Sequence, residues 1–183
     1  MQSRAPLMKE HRLIERMLSV LEALLANIES ARRVDPLSID AAVDFIRTYA
    51  DRTHHGKEED ILFAELGARP LSDADRAAME ELVADHAFAR RATAGLVAAN
   101  ERYRSGEESA VTDIGGRLRT LCDFYPVHIA KEDRTFFAAA GVYFTDEEDQ
   151  ALLARYREFD RTMIHEKYAS VVESLERRAR TLV

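Results

Sequence analysis

The stretch THHGKEEDILF, residues 53–63, sets two histidines and two glutamates ahead of an apolar tail. It has an echo downstream. HHGKEEDILF (54–63) aligns without a gap on HIAKEDRTFF (128–137), which puts His54 on His128, Lys57 on Lys131, Glu58 on Glu132, Glu59 on Asp133 and Phe63 on Phe137. Upstream, Glu10-His11 matches Asp85-His86, and the spacing from His11 to His54 is 43 residues against 42 from His86 to His128. Each half is therefore a helix pair with one histidine on the first helix and His-x-x-x-Glu on the second. A repeat this long is no solenoid unit and points to a pseudo-symmetric bundle.

The chain around the repeat reads as five helices. The first spans about Leu7 to Arg33, with Leu13, Met17, Val20, Leu21, Leu24 and Leu25 as its apolar stripe. Asp35-Pro36-Leu37-Ser38 ends it, and Ser38 is the expected N-cap of a second helix reaching about Leu66. Gly67 to Pro70 breaks the chain, and Ser72 caps a third helix lasting to about Tyr103. Ser105-Gly106 precedes a fourth that reaches Phe137 or a little beyond, and Thr145-x-x-Glu148 is a capping box opening the fifth. Long helices with short loops predict an all-α fold, an antiparallel up-and-down four-helix bundle over about 7–140 with an additional C-terminal helix over about 145–180. The 183 residues fit a single domain.

Bulk properties exclude several functions. The net charge of −7 and the lack of any long Lys/Arg run argue against nucleic acid. Cys122, the single cysteine, cannot form an intrachain disulfide and reads as a small buried hydrophobe in a reducing compartment. No stretch has the length of a membrane span and no signal-peptide core opens the chain, so a cytoplasmic protein is expected.

Residues four apart share a helix face, so each His-x-x-x-Glu can aim both side chains at one point in the core. Imidazoles suit iron, zinc or copper, and carboxylates add negative charge and can bridge two metals. Without a cation, two buried carboxylates would cost several kcal/mol to desolvate. At about 100° per residue, His54 lies at the edge of the stripe formed by Ala42, Val43, Ile46, Tyr49, Ala50 and Ile61, whereas His55 falls about 180° from Ile46 and is expected to point out. Glu58 shares the His54 face better than Glu59 does. Lys57, Glu59 and Asp60 are expected on the solvated side. On the fourth helix, His128 and Glu132 meet the stripe of Leu118, Leu121, Cys122, Tyr125, Ile129 and Phe136; Asp133 lies about 140° from His128. His55, Glu59 and Asp133 remain alternative ligands.

A first-helix His, His-x-x-x-Glu, a third-helix His and a second His-x-x-x-Glu resemble the hemerythrin family, in its HHE cation-binding branch, over about residues 7–140. The resemblance implies a bundle enclosing two iron ions bridged by carboxylates and an oxo or hydroxo group. His11 and His54 would serve one metal, His86 and His128 the other, with Glu58 and Glu132 as bridges. Oxygen-carrying members have a further His where this chain has Arg90, and they place the last carboxylate where Asp133 stands. His165, in a His-Glu-x-Tyr segment similar to that of HHE proteins with a long C-terminal helix, would complete five histidines and two carboxylates. Glu15 is another substitute. Tyr49 and Tyr125, about a turn before the ligand histidines, would hydrogen-bond to a metal-bound ligand or pack.

The implied function is a non-haem di-iron protein that binds, senses or detoxifies a small oxidant: dioxygen, peroxide or nitric oxide. The alternatives are a catalase- or peroxidase-like oxidoreductase, an iron storage or delivery protein, and a metal-free helical interaction module.

Overall fold

In the computed structural model the backbone is described for residues 1–181 and the side chains for residues 1–163. Among the described residues all regular structure is helical. Helix α1 (Arg4–Ala31) ends on Arg32, whose left-handed φ of 55° turns its N–H back onto the Ile28 carbonyl. Helix α2 opens at Pro36, and its N-cap is Asp35 rather than the expected Ser38. The Asp35 carboxylate accepts from the Leu37 N–H at 3.1 Å and from the Ser38 hydroxyl at 2.9 Å, while Pro36 supplies a φ suited to the first helical position.

After Phe45 helix α2 does not stay α-helical. It continues as π-helix over Ile46–His55 and Glu58–Phe63, then closes with Ala64–Gly67. Helix α3 (Asp73–Arg104) is capped by Ser72, whose hydroxyl accepts from the Asp75 N–H at 3.1 Å. Gly106, at φ 100°, turns the chain into helix α4 (Ala110–Lys131), which continues through a π-helical turn, Glu132–Phe136, and ends as Phe137–Ala140. The Thr145 capping box is formed: the Thr145 N–H donates to Glu148 at 2.8 Å and the Glu148 N–H to the Thr145 hydroxyl at 3.3 Å. Helix α5 (Asp146–Thr181) follows.

Two apolar layers hold the helices together. One gathers Ile14, Leu18, Leu21, Ile46, Leu96, Leu118 and Ile129; the other gathers Leu7, Leu62, Leu82, Phe136, Phe137 and Tyr156. Every helix from α1 to α4 passes through both, and on each one the His and Glu positions lie where its two apolar segments meet. Val20, expected in the core stripe of α1, is instead half exposed at 49%. Helix α5 lies across the π-helical part of α2. Its Phe159 ring covers Gly56 so closely that a Cβ there would meet Cζ at 2.8 Å and force the ring to shift.

Candidate metal centre

Seven ionisable side chains converge between the two apolar layers. His11 comes from α1, His54, His55 and Glu58 from the π-helical part of α2, His86 from α3, and His128 and Glu132 from α4; none is more than 2% exposed. Their potential ligand atoms form two groups: His11, His54, Glu58 and Glu132 in one, His55, His86 and His128 in the other, with the atoms of each group within 4.8 Å of one another. The carboxylates connect the groups. His86 Nε2 lies 3.4 Å from Glu58 and 3.5 Å from Glu132, while Glu58 is also 3.5 Å from His54 Nε2. Glu132 lies 3.2 Å from His11 Nε2 and 3.4 Å from His128 Nε2.

A second set of carboxylates surrounds the first. His11 Nδ1 meets Asp133 at 2.7 Å, His54 Nδ1 meets Glu10 at 3.0 Å, and His86 Nδ1 meets Glu59 at 2.7 Å. Asp51 stands 3.4 Å from His55 Nδ1, and Asp85 3.4 Å from His128 Nδ1. An ionised carboxylate only accepts, so each Nδ1 carries the proton and each Nε2 keeps its lone pair for the centre. Cations back the carboxylates: Arg12 on Asp133, Lys57 on Glu10, Arg90 on both Asp51 and Glu59, and Lys131 on Asp85. The repeat thus extends outward from the histidines, with Glu10 matched by Asp85, Lys57 by Lys131 and Glu59 by Asp133.

The centre is electrostatically incomplete as protein alone. Among the described residues, none of the five Nε2 atoms and none of the four oxygens of Glu58 and Glu132 has a hydrogen-bond partner, although all are buried. Buried polar groups are normally satisfied, and so many unpartnered donor atoms at one point fit the binding of a cation. Burial holds the Glu58 carboxyl well above the usual range, and the charge of Glu132 raises it further. Glu132, equally buried, is pulled below that range by the surrounding His128, His11 and His86. Burial brings His54 down to about 4, and lowers His55 and His128 as well, so these rings are neutral donors at neutral pH. For His11 and His86 burial acts the same way, but Glu132 together with Asp133 or Glu59 outweighs it and leaves both raised.

The model of the hemerythrin HHE cation-binding domain matches residues 4–140, which takes in all four helices that supply these side chains. The chain belongs to that family. No curated protein and no solved structure matches it at a significant level. For a hemerythrin-like HHE domain, a cluster of buried histidines and glutamates able to hold metal cations is the property that defines the site.

Within this HHE domain the structure brings together His11, His54, Glu58, His86, His128 and Glu132, and it adds one residue the helical wheel turned away. His55 is 1% exposed, and its ring stacks on His86 with centroids 3.8 Å apart. The expectation of an outward His55 assumed about 100° per residue. In the π-helical stretch Ile46–His55 each residue advances by less, because i→i+5 hydrogen bonds widen the turn, so consecutive histidines both reach the centre. Lys57, expected in solvent, is fully buried, with its ammonium on Glu10 and, at 2.6 Å, on Asp160 of α5. Glu59 and Asp133 stand outside the two groups as partners of His86 and His11, and Glu15 pairs with Arg12 at 2.9 Å. The side chain of His165 lies outside the described residues.

Tyr49 is partly buried and stacks on Phe45, whereas Tyr125 is buried with its ring centroid 6.4 Å from that of His128. Tyr156 of α5 has no counterpart in the sequence reading. It is 1% exposed, and its hydroxyl has no partner among the described residues. Its only signal in the sequence is its place on an apolar stripe. Cys122 packs part-buried against the core, and burial pushes its thiol up to about 11, which makes it unreactive. Among the described residues no helix is long and apolar enough to cross a membrane.

Proposed function

We propose that the domain holds two iron ions between its helices and uses them to bind, sense or detoxify a small oxidant such as dioxygen, peroxide or nitric oxide. The observation that carries this reading is the nine orphaned buried atoms: five imidazole nitrogens and four carboxylate oxygens aimed at one region. The donor set of imidazole and carboxylate, without thiolate, is one that iron accepts. His11 and His54 would serve one ion and His55, His86 and His128 the other, with Glu58 and Glu132 between them. Such a site is consistent with an antiparallel up-and-down bundle, since α1 and α3 meet the Leu7 layer first and α2 and α4 meet the Ile14 layer first.

Iron would supply a change of oxidation state and open coordination positions for a small ligand. The chain's own residues do the rest. Glu10, Asp51, Glu59, Asp85 and Asp133 fix each ring with Nε2 inward, which raises its basicity as a donor. The apolar layers on both sides exclude water, so the charges of Glu58 and Glu132 act at low dielectric. Tyr125 and Tyr156 bring unpartnered hydroxyl protons to the neighbourhood of the site.

Metal analysis of protein purified without chelator, paired with the absorption spectrum of ferric iron, tests this directly. About two irons per chain support it; a metal-free protein with the same helical content sinks it in favour of an interaction module. Steady peroxide disproportionation that disappears in His54→Ala would move the reading to a catalase-like enzyme, and ready loss of iron on reduction would move it to storage or delivery.

A further inference from the structure

The pseudo-repeat shows where the two halves of the molecule depart from each other, and the departures collect at one place. A cavity of about 220 Å³ opens beside the metal centre, lined by Ile46, Arg47, Asp51, His55, Ala89, Arg90, Thr93 and Tyr125. Four of these have apolar sequence counterparts in the other half: Ala89 answers to Ile14, Thr93 to Leu18, Arg47 to Leu121 and His55 to Ile129. All four counterparts are buried in the core. Where one half packs isoleucine and leucine, the other leaves a space several times the roughly 30 Å³ of a water molecule and gives it polar walls.

Among the polar groups on its walls donors predominate. Arg90 is engaged on one side, Nε to Asp51 at 2.7 Å and Nη2 to Glu59 at 2.9 Å. Arg47 has no ion-pair partner among the described residues. The Tyr125 hydroxyl is buried without a partner, on a side chain 1% exposed that lines the cavity. Against these stands one carboxylate, Asp51, already bound to Arg90. The lining therefore carries two guanidinium groups, one carboxylate and an unused hydroxyl proton.

We propose that this cavity binds one small inorganic anion, of the size of a halide or nitrate, between Arg47, Arg90 and the Tyr125 hydroxyl. Its volume excludes an organic phosphate of nucleotide size, and its excess of donors favours an anion over a neutral solute. The cavity adjoins the metal centre through His55, and Arg90 also holds Asp51 and Glu59 there, but Arg47, Arg90 and Tyr125 belong to neither ligand group.

Crystals of the protein as purified, soaked in sodium bromide, test it. An anomalous peak in the cavity, within contact of Arg47 and the Tyr125 hydroxyl, is expected. In solution, chloride NMR line broadening should report the same site, with nitrate competing. Arg47→Gln, at an exposed position that belongs to neither ligand group, should weaken the broadening by about tenfold, as loss of a charged hydrogen bond implies, with metal content unchanged. Thr93→Leu, which restores the counterpart residue and fills the cavity, should abolish it. No bromide in the cavity overturns the proposal. So does a peak that persists equally in both variants, which would mean an adventitious ion only.

Discussion

Helices α1 and α2 and helices α3 and α4 carry the same ligand pattern, His11 with His54-x-x-x-Glu58 and His86 with His128-x-x-x-Glu132, and each borrows an outer carboxylate from the other: Asp133 for His11, Glu59 for His86. Among the grouped histidines and glutamates the symmetry fails at one residue. His55 stands where the second half has Ile129, and it joins the His86 and His128 group, leaving His11 and His54 as a pair supported by the two glutamates. A three-histidine end and a two-histidine end follow from a single substitution in the repeat, together with the π-helical winding that turns it inward. The difference teaches that the two halves of one framework can present unlike sets of buried donors.

Removing the metal should strike both halves and produce the largest effect. Chelation leaves Glu58 and Glu132 buried side by side with nothing between them, at a cost of several kcal/mol. A fall of roughly 10 °C in Tm is expected for a chain of this size, recovered on adding ferrous iron. An unchanged Tm would mean that the centre is satisfied as protein alone. Next comes the residue that breaks the symmetry. His55→Ile gives the first half the residue of the second and should lower iron content from about two per chain to about one, while His11, His54, Glu58 and Glu132 keep their ion.

The two lysines of the motif offer a finer comparison. Lys57 is wholly buried between Glu10 and Asp160, whereas Lys131 is 37% exposed between Glu81 and Asp85. Lys57→Met should cost about 3 kcal/mol in denaturant unfolding, because it strands Glu10 and unties α5. Lys131→Met should cost less than about 1 kcal/mol. Equal losses at both positions would remove the distinction between a buried tie and a surface pair. Smallest are the outer carboxylates. Glu59→Gln and Asp133→Asn should each weaken metal affinity by about 10- to 100-fold in competition with a chelator, the first at the three-histidine end and the second at the two-histidine end.

Much of this arrangement is legible in the sequence because the repeat makes it so. A histidine alone says little, but His11, His54, His86 and His128 recur with nearly equal spacing, and Glu58 and Glu132 share their faces. Helix boundaries at Ser72, Gly106 and Thr145 follow from local chemistry that needs no tertiary information. Other features lie beyond such reasoning. His55 is misplaced by any wheel drawn at about 100° per residue, since nothing in IRTYADRTHH announces a π-helix. Lys57 reads as a surface lysine because its partners, Glu10 and Asp160, are brought to it only by the packing of α1 and α5. The outer carboxylates are next to the motif residues in sequence, yet each serves a histidine on another helix, or one at i+4 for Asp51, and only folding assigns the pairs. Asp35 takes the cap from Ser38 because Pro36 already starts the helix.

The assignment of His55 as the fifth histidine separates this account most sharply from the one that places it in solvent. Iron content and the ferric absorption spectrum, measured side by side for the wild-type protein and His55→Ile, decide the matter. The account predicts about two irons per chain in the wild type, and about half that content, with an altered spectrum, in His55→Ile. Full iron content and an unchanged spectrum in His55→Ile would contradict it.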